Sequence, residues 1–148
     1  MPVFALIDPK ARSIDLEDFP SYDLALDKVG LKAGSVDFGT VAQWKDGRNL
    51  SIIVYEWSLM DSDPEAYFAC NGRLYNGPAV MYMSDAEGET IDFSPALAEH
   101  FKADCSHFLW LSSVEAAEKA IMENKVIRPQ TAINGVPTWQ WNKPKESV

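Results

Sequence analysis

The stretch Phe38-Gly39-Thr40-Val41-Ala42-Gln43-Trp44-Lys45-Asp46-Gly47-Arg48-Asn49-Leu50-Ser51-Ile52-Ile53-Val54-Tyr55-Glu56-Trp57 decides the fold class. Residues 38–44 and 50–57 are rich in β-branched and aromatic side chains, which suit a pleated, half-buried surface. Between them Asp46-Gly47 is a strong hairpin signal, and a tight two-residue turn there needs positive φ at both central positions. An antiparallel hairpin is therefore expected at the centre of the chain.

Hairpin punctuation continues on both sides. Val3 to Ile7 is a short apolar run stopped by Asp8-Pro9, which reads as a buried strand. Ser13-Ile14-Asp15-Leu16 alternates and predicts its partner across residues 8–12. Downstream, residues 66–70, 79–83 and 90–93 are separated by Asn71-Gly72, Asn76-Gly77-Pro78 and Glu87-Gly88, which predicts a meander of short antiparallel strands.

Helical signals are fewer. Ser21 precedes Tyr22, Leu24, Ala25, Leu26 and Val29, with Gly30 as a stop, so a short serine-capped helix is expected. Ser94-Pro95 opens a second over residues 96–103. Ser113 caps the clearest one, residues 114–124, with Ala117, Ala120 and Ile121 on one face. Residues 108–111 form an apolar run of strand length. About three short helices set among hairpins predict a single α+β domain with an antiparallel hairpin and meander sheet. The tail, residues 142–148, is expected to fray.

At 148 residues the chain suits one domain, and its 47% hydrophobic and 24% charged content is that of a globular protein. The formal net charge is −9, with a pI near 4.6. That field repels phosphate backbones, so direct nucleic-acid binding is not expected. The acidity serves solubility or docking on a basic partner. The N-terminal apolar run is too short for a signal sequence, and no run approaches a membrane span, so a cytoplasmic location is expected.

Chemistry is sparse. Cys70, Cys105, His100 and His107 lack the paired spacing of structural zinc sites. The acidic turn Asp85-Ala86-Glu87-Gly88-Glu89 lacks the ligand series of a calcium loop and reads as a hairpin turn. Nucleophile-elbow, P-loop and dinucleotide fingerprints are absent. A Cys105/His107 pair stays open as nucleophile and base, but no third residue orients it. No metal or cofactor is implied, and a non-enzymatic role is expected. Arg73, Tyr75 and Asn76 are candidate binding residues, since arginine and tyrosine dominate interface energetics. Trp139 and Trp141 alternate across Gln140 and point to one side. They form either an exposed aromatic patch or the closing layer of a core.

A resemblance is carried by Leu6-Ile7-Asp8-Pro9, by Tyr22–Val29, and by Val36-Asp37-Phe38. It continues through Val54-Tyr55-Glu56-Trp57-Ser58-Leu59, Tyr67-Phe68, Asn76-Gly77-Pro78 and Asp85-Ala86-Glu87-Gly88. Over residues 3–93 this pattern resembles a family of small uncharacterised proteins of tailed phages and prophages. It departs at Glu56-Trp57-Ser58, where similar proteins carry an acidic Asp/Glu-Gly element. From Ser94 onward, residues 94–141 have no counterpart in it. The family brings no established activity. Taken with the lack of catalytic motifs and the acidity, the resemblance leads us to expect a phage or mobile-element accessory protein that binds a host protein, in counter-defence. The alternatives are a small-molecule or nucleotide-sequestering protein, with homo-oligomers as a route to its pocket, and a minor virion component.

Overall fold

The computed structural model describes residues 2–56, 63–70, 73–92, 108–111 and 113–123. Along these run β1 (Val3–Asp8), β2 (Ser13–Asp18), α1 (Tyr22–Val29), a 3-10 turn (Ala33–Ser35), β3 (Val36–Gln43) and β4 (Asn49–Tyr55). There follow β5 (Tyr67–Cys70), β6 (Arg73–Asn76), β7 (Ala79–Ser84), β8 (Thr90–Ile91), β9 (Phe108–Leu111) and α2 (Val114–Met122). Every strand pair is antiparallel. The α+β expectation holds with two α-helices among the described residues. The third expected helix, residues 96–103, lies outside them, as does the tail.

The larger sheet runs β2-β1-β7-β4-β3, with β8 attached to β7, and the smaller sheet runs β6-β5-β9. This corrects the expected meander. β5 pairs with β6 and β9, whereas β7 is inserted between β1 and β4. The reason is burial on both faces: Ala79, Val80, Met81 and Met83 are all inaccessible, a run that suits a central strand. The Arg73–Asn76 segment, expected in a turn region, is a strand.

Pleat alternation sorts side chains into layers. Phe4, Leu6, Ile53 and Val80 face α1, where Ala25, Leu26 and Leu31 meet them. Ala5, Ile7, Leu50, Ile52, Met81 and Met83 point the other way, onto Phe68, Cys70 and Tyr75 of the smaller sheet. The far face of that sheet, with Ala69 and Leu74, is closed by Ala117 and Ala120 of α2. The order is helix, large sheet, small sheet, helix. Phe68 stacks on Tyr75 at 5.4 Å and meets Trp110 at 6.2 Å between the sheets.

The central hairpin forms as expected, with a different turn. Gly47 N–H donates to the Trp44 carbonyl and Trp44 N–H to the Arg48 carbonyl, and Gly47 has φ +93° while Asp46 is not left-handed. This is a type I turn closed by a glycine bulge rather than a two-residue turn with two positive φ values. The β7–β8 hairpin repeats it: Gly88 N–H donates to Asp85 and Asp85 N–H to Glu89, with Gly88 at φ +86°. The Asp85 carboxylate accepts the N–H groups of Glu87 and Glu89, so the acidic turn spends that carboxylate on its own backbone. At the central tip Asp46 bonds Arg48 Nε at 2.8 Å, and the Arg48 guanidinium lies 5.6 Å from the Trp44 ring centroid. The Arg48 backbone N–H, followed by its guanidinium, holds the Asp46 carboxyl below the ordinary aspartate range.

Candidate functional site

Among the described residues, the face of the larger sheet that carries α1 is covered by one eight-residue helix, which packs on β1 and β7. The helix is placed by its ends. Ser21 has the extended backbone of an N-cap, yet its side chain accepts no bond from the first turn, a correction to the expected serine cap. At the other end Gly30 is left-handed (φ +84°), Gly30 N–H bonds the Asp27 carbonyl and Leu31 N–H the Leu26 carbonyl. That double bond pattern is a Schellman ending, and buried Leu31 packs beside Leu26 as such endings favour.

Toward β3 and β4 an aromatic strip emerges from beneath the helix. Phe19 meets Phe4 at 6.0 Å, Phe4 meets Tyr82 at 6.2 Å, and Tyr82 stacks on Tyr22 at 6.4 Å. Tyr22 then contacts Phe38 edge-to-face at 5.8 Å and 86°. The strip grades from buried to open: Phe4 is inaccessible, Tyr22 is 38% exposed and Phe38 53% exposed. Burial raises the Tyr82 hydroxyl above the ordinary tyrosine range, and a hydrogen bond with Ser51 offsets part of that rise. Single exposed apolar residues are ordinary on protein surfaces. A contacting, exposed aromatic pair stands out from these, and aromatic side chains are enriched where proteins bind proteins. Covering a side chain such as Phe38 stabilises a complex by on the order of 1–3 kcal/mol.

On the other flank a groove of about 240 Å³ runs between β2 and the C-terminal end of α1. Asp8, Asp15 and Glu17 line it, with Ser13, Lys28 and Val29. Three carboxylates face one ammonium, so the groove favours cationic over anionic occupants. Among the described residues no group of three or more His, Cys, Asp or Glu is arranged to hold a metal ion. None of the described helices is long and apolar enough to cross a membrane.

The residues singled out in the sequence fall elsewhere. Arg73, Tyr75 and Asn76 lie on β6, and two of them are committed to the interior. Tyr75 is buried against Phe68, and burial above all, with Cys70 adding to it, pushes its hydroxyl far above the ordinary range, against an opposing hydrogen bond from Arg73. Asn76 is 3% exposed. Its Oδ1 accepts the Asp63 N–H at 2.9 Å and its Nδ2 donates to the Asp63 carbonyl at 2.8 Å. It is a pin that holds the entry to β5 against the end of β6. Arg73 is half-buried beside Tyr75. Trp139 and Trp141 lie outside the described residues, as do His100, Cys105 and His107; Cys70 is buried between the sheets.

Tyr22 and Phe38 were not expected as site residues. No sequence signal marked them, because both continue apolar patterns that read as core. Comparison with family models, with curated proteins and with solved structures finds no match to this chain.

Proposed function

We propose that the chain is a non-enzymatic protein-binding module, a phage or mobile-element accessory protein that acts on a host protein in counter-defence. The observation that supports binding is the contacting, exposed pair Tyr22 and Phe38. Aromatic anchors held on a strand and a packed helix end lose little side-chain entropy on docking, which is why such residues serve as hot spots. The host and counter-defence parts of the reading come from the phage-family resemblance over residues 3–93.

The nucleotide-sequestering alternative draws less support. The groove beside β2 sets three carboxylates against Lys28, and phosphate entering it meets like charge. Its volume also falls below the ~300 Å³ at which drug-sized ligand pockets begin.

The test uses the whole chain as bait in host extract, beside a Tyr22→Ser/Phe38→Ser variant whose fold is checked by circular dichroism. A protein retained by the first and lost from the second supports the reading. Equal retention, or turnover of a substrate in an unbiased activity screen, removes it.

A further inference from the structure

At the opposite edge of the larger sheet from Phe38 lies β2, Ser13–Asp18, which pairs with β1 on one side and with no described strand on the other. Alternate residues of such an edge direct backbone N–H and C=O groups outward, the template on which an extended segment adds itself to a sheet. The side chains sort by pleat. Asp15 and Glu17 stand in register with Leu6 and Phe4, on the α1 side, and Asp15 and Glu17 form one wall of the 240 Å³ groove. Leu16, in register with Ala5, stands on the other side and is 41% exposed.

We infer that the β2 edge takes up a basic extended segment of a partner protein as an added strand, with side chains in the order basic, apolar, basic opposite Asp15, Leu16 and Glu17. Cross-strand neighbours of opposite charge on one face stabilise pairing, and like charges directly opposite destabilise it. The incoming basic side chains extend over the groove, where Asp8 adds a third carboxylate and Lys28 the opposing ammonium. Their aliphatic stems lie along Val29 while the charged ends meet the carboxylates. The apolar residue between them covers Leu16.

A second copy of the chain is a poor occupant. Its own edge reads Ser13-Ile14-Asp15-Leu16-Glu17-Asp18, and pairing it with itself sets carboxylates against carboxylates. Charged edges are how native sheets refuse self-association. The refusal is charge-specific, so the same edge that rejects its copy selects a basic strand. The basic-apolar-basic order reads alike in both directions, so the orientation is set by the backbone, and the added strand is antiparallel like every described pairing in the sheet. The surface stands without the aromatic patch, on the far side of α1.

The probe is a labelled peptide alternating lysine and valine, about eight residues long to match an ordinary strand, titrated into the full chain and followed by fluorescence anisotropy. Three controls accompany it: a peptide of equal composition with lysines and valines in separate blocks, and two peptides N-methylated on alternate residues in one phase or the other. The alternating peptide is expected to bind, about tenfold or more tightly than the block peptide, with binding weakened by salt. One N-methylation phase abolishes binding and the other preserves it, because only one phase faces β2. Asp15→Lys/Glu17→Lys weakens binding by about tenfold or more, Asp15→Asn/Glu17→Gln weakens it less, and amide exchange slows at residues 13–18 on complex formation. Phe38→Ser leaves peptide binding unchanged.

Equal binding of block and alternating peptides, or indifference to N-methylation phase, reduces the contact to bulk charge and overturns strand addition. Absence of binding overturns it too, as does loss of binding in Phe38→Ser. Self-association of the wild type that Asp15→Asn/Glu17→Gln alters shows that the edge accepts its own copy, and that result also ends the proposal.

Discussion

Gly47 and Ala86, at the tips of two different hairpins, touch so closely that a Cβ added to Gly47 would stand 2.6 Å from the Cβ of Ala86. The contact locks the β3–β4 turn against the β7–β8 turn at one end of the larger sheet. Gly47 is thus required twice, by its φ of +93° and by this approach.

Gly47→Ala is accordingly expected to lose more than the roughly 1 kcal/mol of a left-handed alanine alone. Adding Ala86→Gly removes the 2.6 Å clash and leaves the backbone part, together with a tight 3.1 Å approach to the Cα of residue 86. Urea denaturation of wild type, single and double variants measures both. The double variant should recover some stability but not all of it; complete recovery would show that φ contributes nothing there.

Asn76 is expected to matter for stability and not for binding. Asn76→Ala breaks both bonds to the Asp63 backbone in a buried setting and should cost about 1–3 kcal/mol. Asn76→Asp should also destabilise, because a carboxylate can still accept the Asp63 N–H but cannot donate to the Asp63 carbonyl. Chemical denaturation checks both, and an unchanged midpoint would remove the pin from the account.

The two helix starts make a paired test. Ser113 Oγ accepts the Ala116 N–H at 3.1 Å, whereas the Ser21 side chain makes no cap bond. Ser113→Ala should therefore lose about 1 kcal/mol, and Ser21→Ala only a few tenths. Thermal melts of the two variants side by side decide it; equal losses would contradict the geometry.

Tyr75 links stability to alkaline pH. Its hydroxyl ionises well above the ordinary value in the folded chain, because burial disfavours the phenolate. The unfolded chain ionises near pH 10. Tyr75 therefore contributes its full stabilisation below about pH 10, and that contribution declines as pH rises beyond it, while the unfolded state releases a proton the native state keeps. Melting temperatures from neutral pH to about pH 11 should fall more steeply for wild type than for Tyr75→Phe. Parallel curves would show that Tyr75 is not the group responsible.

Much of the fold was legible locally. Asp46-Gly47, Asp8-Pro9, Glu87-Gly88 and Gly30 mark real turns and a real helix end, because the backbone at those points tolerates few residue types. What stayed hidden was nonlocal. Arg73-Leu74-Tyr75-Asn76 has neither clean alternation nor an apolar run, since Leu74 is buried toward α2, Tyr75 toward the larger sheet, and Asn76 by bonds to Asp63. A polar residue before Gly77-Pro78 reads as a turn until its buried partner is seen. The partner of β7 was hidden for the same reason: an apolar run announces a central strand but names no neighbour. The candidate site was the least legible part, because Tyr22 and Phe38 differ from core aromatics only in their exposure, which no local pattern records.

The placement of β7 has a consequence for how the chain comes off the ribosome. Its first 55 residues hold two hairpins, β1–β2 and β3–β4, that share no strand pairing with each other. Both dock on β7, residues 79–84, which is made later. Until those six residues emerge, the nascent chain carries two sticky half-sheets with their inner edges open. β7 then acts as a keystone that arrives after both halves, so a chain truncated before Ala79 is left with two halves and without the strand that joins them.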